Sequence, residues 1–154
     1  MMIKIDATDK QILQILQEDG KITMAALANR LGLTPTPVYE RIKKLEQQGV
    51  IDKYVALVDA KKVGCSLTVF ISISLKNHGR SHLEKFIDKI KSYPEITECY
   101  HIAGNFDFLL KARLRDMEAY QHFLLTKLSV DTNIARVQSS FVLSSNKYST
   151  ALPV

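Results

Sequence analysis

The chain has little of what would mark it as secreted, membrane-bound or catalytic. Its two cysteines, Cys65 and Cys99, are too few and too isolated for a disulfide framework and read as small hydrophobes kept reduced. It holds no run of about 18 apolar residues that could span a bilayer, and its first residues, MMIKIDATDK, lack the apolar core of a secretory signal. These absences predict a cytoplasmic protein with no membrane partner. There is no P-loop, dinucleotide fingerprint or G-x-S-x-G elbow, and no close acidic pair in a suggestive setting, so neither an enzyme nor a cofactor is expected. Charge of one sign is only mildly in excess: 21 Lys plus Arg stand against 16 Asp plus Glu, for a net charge of +5 and a pI near 9.2. That balance favours a polyanionic partner without identifying it. Residues 1–64 hold 10 basic and 8 acidic side chains and residues 65–154 hold 11 and 8, so neither half is conspicuously basic.

What is present begins with Thr23 to Gly49, TMAALANRLGLTPTPVYERIKKLEQQG. Thr23 can cap a helix in which Met24, Leu27, Ala28 and Leu31 recur at the spacing of one apolar face. Gly32 tolerates positive φ and can end it. Thr34-Pro35-Thr36-Pro37 then offers two capping hydroxyls and prolines that fit only a first helical turn. In the second helix Val38, Ile42 and Leu45 stack on one face, and Thr36, Glu40, Lys43, Lys44 and Gln47 project the opposite way with Tyr39 and Arg41 on the flanks. Small Ala25, Ala26 and Ala28 would let the helices approach closely, and the short Gly32-Leu33 connection forces a sharp crossing. This is a helix-turn-helix, which places its second helix in the major groove of double-stranded DNA. The candidate DNA contacts are Thr34, Thr36, Pro37, Tyr39, Glu40, Lys43 and Lys44, with Arg41 anchoring the backbone.

Asp6 can cap a preceding helix with Asp9 in its first turn and a stripe of Ile12, Leu13 and Leu16, completing a three-helix unit over residues 1–50. Val50 to Val58 is β-branched and apolar enough for a strand or wing, and Asp59 to Gly64 is polar enough for a hinge, so residues 51–64 read as strand and linker. From Leu67 the period becomes two: Leu67, Val69, Ile71, Ile73 and Leu75 alternate with Thr68, Phe70, Ser72 and Ser74. Ser81 and Glu84 match a capping box before a helix faced by Leu83, Phe86, Ile87 and Ile90 and stopped at Tyr93-Pro94. Ile96 to Ala103 and Phe106 to Arg115 read as strands joined around Gly104-Asn105. Asp116 caps a further helix faced by Met117, Tyr120, Leu124 and Leu128, and Ile134 to Leu143 closes the series as a strand. The order β-α-β-β-α-β over 65–154 is the ferredoxin-like unit. The expected class is α+β: a three-helix, winged helix-turn-helix domain followed by a ferredoxin-like domain.

A sheet of this kind has helices on one face only. Phe70 and Leu109 fall on its other face with Ser72, Ser74 and Lys111, a mixed surface suited to a second copy of the chain. A homodimer would also suit the N-terminal motif, because two-fold proteins read half-sites about 34–36 Å apart.

Taken together, Asp6-x-x-Asp9-x-x-Ile12-Leu13, Ala25-x-Leu27-Ala28, Leu31-Gly32-Leu33-Thr34-Pro35, Val38-x-x-Arg41-Ile42-x-x-Leu45-x-x-x-Gly49-Val50-Ile51 and Gly104-x-x-Asp107 resemble the Lrp/AsnC, or feast/famine, family of transcription regulators across nearly the whole chain. The resemblance implies a DNA-binding domain, an amino-acid-sensing domain, dimers that often assemble into octamers, and ligands held between subunits, in a nucleoid-associated protein. By the family's pattern the effector pocket involves Tyr100, His101, Ala103, Gly104, Asn105, Phe106 and Asp107, with Ser139 in a polar patch on the last strand. Gly104 would let backbone amides approach a ligand carboxylate, and Asp107 could accept from an ammonium or hold the loop. The same residues also suit a plain hairpin, and alternating strand polarity alone explains Ser139. Asn105 and Phe106 depart from the family's common Gly-Asp-Tyr-Asp by one charge and one hydroxyl. Three other readings stay open: a nucleoid-organising protein that senses nothing; a metal-responsive regulator using Cys99-x-His101 or His78-x-x-x-His82; and an enzyme built on Cys99 and His101. No metal site is expected.

Overall fold

The computed structural model describes residues 4–154. Its contacts divide into two compact units: residues up to Leu57 together with Lys147–Val154, and Val58–Asn146.

The first unit is built on three helices, α1 (Ala7–Glu18), α2 (Met24–Leu31) and α3 (Pro35–Gln47). Asp6 caps α1 in a reciprocal box: its carboxylate accepts from the Asp9 amide at 2.8 Å and the Asp9 carboxylate accepts from the Asp6 amide at 3.2 Å. The Thr23 hydroxyl accepts from the Ala26 amide at 3.2 Å to start α2, and Gly32 ends it with φ +65°, the left-handed conformation that suits glycine. Ile12, Leu13, Leu27, Ala28, Val38, Ile42 and Leu45 form the core, which is the apolar stripe of each helix meeting the other two. Of the small α2 residues only Ala28 is buried; Ala25 and Ala26 face outward. Thr34 flanks α3 as expected, but its hydroxyl makes no capping bond. A cap accepts from the amide two or three residues on, and here the third residue is Pro37, which has none.

Two expectations fail in this unit. The strand expected over residues 50–58 is absent, and 52–58 has no regular structure; a strand needs a neighbour to satisfy its amides and carbonyls, and these residues have none among the described ones. Tyr54 alone reaches back, its hydroxyl donating to Glu46 Oε1 at 3.0 Å. The chain end was expected to belong wholly to the second domain, yet Lys147–Val154 packs with the helices. The Gln17 side-chain amide grips the backbone of Leu152, accepting from its N–H at 2.7 Å and donating to its carbonyl at 3.2 Å.

The second unit holds β1 (Leu67–Leu75), α4 (Arg80–Lys91), β2 (Ile96–His101), β3 (Phe108–Leu114), α5 (Met117–Phe123) with a π-helical continuation over Leu124–Leu128, and β4 (Ile134–Phe141). The sheet is antiparallel with strand order β2-β3-β1-β4, so the ferredoxin-like reading holds. Val69, Ile71, Ile73 and Leu75 face the helices and pack with Phe86, Ile90, Phe108, Leu110, Phe123 and Leu128. Local details differ. The capping box at Ser81 and Glu84 does not form: α4 starts two residues earlier, with Gly79 flanking it, and Glu84 instead accepts from Arg80 Nε at 2.8 Å. Met117 is exposed, and Phe123 takes the core position expected of it. The π turn, in which the Ser129 amide donates to the Leu124 carbonyl at 2.8 Å, widens the helical repeat so that Phe123 and Leu128 share a face.

Truncating Ile71, which is fully buried, should cost about 2–5 kcal/mol of unfolding free energy in a denaturant titration. Ser72→Ala on the opposite face should change it by less than about 0.5 kcal/mol.

Candidate DNA-reading helix and effector loop

Helix α3 presents two unlike faces. Val38, Ile42 and Leu45 are buried, while Thr34, Thr36, Pro37, Tyr39, Glu40, Lys43 and Lys44 are exposed. The exposed set includes two lysines, one carboxylate and an aromatic ring, the side chains that reach phosphates and base edges. Arg41 is different. Its Nη1 donates to Asp6 Oδ2 at 2.6 Å and to Asp9 Oδ1 at 2.7 Å, so α3 is fastened to the capping box of α1. The Asp9 amide and then Arg41 hold the Asp6 carboxyl below its usual range, and the two carboxylates raise Arg41 further. Arg41, expected to anchor the DNA backbone, thus has its Nη1 engaged inside the helical unit.

In the second unit the connection from Ile102 to Asp107 is longer than the two-residue turn expected, because β2 ends at His101 and β3 starts at Phe108. It is stitched at its base. The Ile102 amide donates to the Asp107 carbonyl at 2.8 Å and the Asp107 amide to the Ile73 carbonyl at 2.9 Å. The Asp107 carboxylate is occupied twice: Oδ2 accepts from the Leu75 amide at 2.7 Å and Oδ1 lies 3.0 Å from His78 Nε2. The Leu75 bond, with help from His78, holds this carboxyl below the usual range. Of the two roles offered for Asp107, the structure brings about loop anchoring. Gly104 has φ +148° and open space where a Cβ would stand.

The other effector candidates separate. Ala103, Gly104 and Asn105 are exposed on the loop and Phe106 is half-buried, with the guanidinium of Arg136 5.0 Å from its ring centroid. Tyr100 lies opposite Leu109 on the open face of the sheet and donates to Glu98 Oε2 at 2.9 Å. Lys111 binds the other oxygen at 2.7 Å, lowering the Glu98 pKa, and Glu98 in turn raises that of Tyr100. His101 faces the helix side, its ring stacked on Phe108 at 4.8 Å. Ser139 lies opposite Ile71 on that covered side too, accepting from the Tyr120 hydroxyl at 2.6 Å, so its polar neighbours Gln138 and Ser140, not Ser139, lie on the open face. Arg136 and Ser74 face each other across β4 and β1 beside the loop; alternation alone puts Ser74 on the open face, and only the strand register brings Arg136 to it. Among the described residues no group of three or more His, Cys, Asp or Glu could hold a metal, and burial raises the Cys99 pKa, away from a reactive thiolate.

Gly104→Ala should lower the melting temperature, because the strain lies in φ and not in crowding. Asp107 has a depressed folded pKa, so it stabilises the fold above its unfolded value, near 4, and that contribution disappears as pH falls through the lower folded value. The melting temperature of the native chain should therefore fall more steeply than that of Asp107→Asn between about pH 5 and pH 3.

Two family models match the chain: a winged helix-turn-helix DNA-binding model over residues 5–52 and the Lrp/AsnC ligand binding domain over residues 68–152. The transcriptional regulator AzlB of Bacillus subtilis is 36% identical over 100% of this chain and 98% of its own length. The leucine-responsive regulatory protein of Escherichia coli is 42% identical over 78% of this chain and 73% of its own. Among solved structures, a transcriptional regulator of Neisseria meningitidis in complex with L-Met has a TM-score of 0.94 at 37% identity, covering 97% of each chain. Escherichia coli AsnC has a TM-score of 0.89 at 28% identity, covering 96% of this chain and 97% of its own. The relatives are transcriptional regulators, not enzymes, and no described helix is long and apolar enough to cross a membrane. The chain belongs to the Lrp/AsnC family: it is a DNA-binding transcriptional regulator with a ligand-binding domain.

Proposed function

We propose that this regulator reads specific DNA sequences through the exposed face of α3, and that an amino acid taken up at the 102–107 loop of a homodimer or larger assembly changes that binding. The observation that carries the DNA half is the division of α3 between a buried stripe and an exposed face of Thr36, Tyr39, Glu40, Lys43 and Lys44. Lys43 and Lys44 supply sequence-independent attraction to phosphates, and Glu40 and Tyr39 supply preference among bases. Pro35 and Pro37 remove two amides from the helix start, which leaves less of the usual anion clasp there.

The effector half is supported by the match to a ligand-binding domain and by the L-Met held in the Neisseria meningitidis relative. An amino acid regulates only if it prefers one assembly over another, and a coupling of about 1–3 kcal/mol is ordinary. The open sheet face, with Phe70, Leu109 and Tyr100 among Ser72, Lys111 and Glu98, is the surface on which a second copy would pair. Changing the number of paired copies changes the spacing of α3 helices along DNA, so the ligand acts without touching the reading helix. The nucleoid would then be the site of action.

Lys44→Ala should weaken binding to every DNA sequence and reduce the salt slope by about 1, whereas Glu40→Ala should alter preference among sequences. Anisotropy titrations on selected and random duplexes check this, and equal effects of both variants on both duplexes would overturn it. In a thermal-shift screen of the amino acids at least one should raise the melting temperature. Size-exclusion chromatography with light scattering at micromolar concentration should give a dimer or a multiple of it; a monomer mass contradicts the pairing.

A further inference from the structure

We infer that Gln17 is a positioning residue for DNA binding: by pinning residues 147–154 to α1 it gives the helical unit a second tether, and so sets which half-site separations a paired regulator accepts. The inference rests on the reading of α3 in a homodimer above and names what fixes the geometry of that reading.

Every residue from Lys147 to Val154 is exposed, so this segment buries little apolar area. Its last residues are held by glutamines of α1. The Gln17 side-chain amide accepts from the Leu152 N–H at 2.7 Å and donates to the Leu152 carbonyl at 3.2 Å. One turn earlier, Gln14 Nε2 donates to the Val154 carbonyl at 3.4 Å. A primary amide carries a donor and an acceptor side by side, as a peptide unit does, and therefore pairs with extended backbone as a neighbouring strand would. Alanine at position 17 could do neither.

The attachment matters because the chain passes between the two units twice. On the way out of the helical unit, Tyr54 fastens the linker to α3 through Glu46 at 3.0 Å, and residues 55–58 beyond it have no regular structure. On the way back, β4 pairs with β1, and the Val142 amide still donates to the Thr68 carbonyl at 3.0 Å. From Val142 to Leu152 the chain spans at most about 36 Å even when fully extended, so a pinned Leu152 limits how far the helical unit can move from the sheet. A body on one flexible leash pivots about it; a second leash fastened to a different helix removes much of that freedom. Two α3 helices engage two half-sites together only when the separation matches, and a looser connection accepts more separations at a lower effective concentration. Gln17 lies on α1, outside the exposed face of α3, so it acts on where the reader stands and not on what it reads.

Anisotropy titrations of the full-length protein test this on duplexes carrying two copies of a selected half-site, their separation lengthened one base pair at a time across about half a helical turn, roughly 5 bp. The native chain should lose about tenfold or more in affinity across the series, and Gln17→Ala about threefold or less. On a duplex with a single half-site the two should agree within about twofold, and their melting temperatures should match, since alanine keeps the helix. A chain lacking residues 147–154 should reproduce Gln17→Ala, and adding that substitution to it should change nothing further. A variant profile as steep as the native one, or a substitution that keeps its effect in the shortened chain, overturns the inference. So does a joint loss of melting temperature and single-site affinity in both variants, which would make the contact a stabilising one only. A flat native profile overturns it too and leaves reading by α3 standing. No preference of the native chain for the selected duplex over random DNA overturns both.

Discussion

The alternation of β1 is the constraint on which the second unit depends. This strand is hydrogen-bonded on both edges, to β3 and to β4, so every other residue is committed to the helices and the rest to the open face. A slip of one residue would carry Val69, Ile71 and Ile73 out of the core and Phe70, Ser72 and Ser74 into it. The same strand holds the candidate site together. Its Ile73 carbonyl and Leu75 amide take both ends of Asp107, and its Ser74 lies between Asn105 and Arg136. The loop is thus an extension of the sheet's register and keeps its place while Gly104 keeps its backbone open.

In the helical unit the corresponding fixture is Arg41 against Asp6 and Asp9. Asp9 is buried, and a buried carboxylate requires a partner; the arginine that meets this need comes from the reading helix. One side of α3 is therefore secured by the apolar stripe and its flank by the ion pair, which leaves Tyr39, Glu40, Lys43 and Lys44 to face outward from a fixed helix. On the proposed function, affinity for DNA and the orientation of the reader rest on different residues of one helix.

Helix-turn-helix, sheet order and the buried face of β1 were legible because each follows from periods of 3.6 or 2 and from local caps such as Asp6, Thr23 and Asp116. What was not legible depends on contacts distant in sequence. Ser139 is a ligand candidate only by the family's pattern, and pairing with Ile71 assigns it to the covered face. The sequence places Arg41 on the flank of α3 as a DNA-backbone anchor, and its pairing with Asp6 and Asp9 depends on contacts from another helix. The Thr34 cap failed for a local reason that was visible in the sequence, the missing amide of Pro37. Residues 52–58 had strand propensity, and propensity supplies no neighbouring strand. The π turn after α5 leaves no trace in a helical pattern, so the shared face of Phe123 and Leu128 was not legible.

The central claim is that ligand uptake in the second unit alters DNA binding by the first. The most direct measurement is fluorescence anisotropy of the full-length protein on a duplex selected from a random pool, at one salt concentration, with and without each amino acid at saturation. At least one amino acid should shift the midpoint or the steepness of the binding curve. Curves that superimpose for every amino acid would contradict the account.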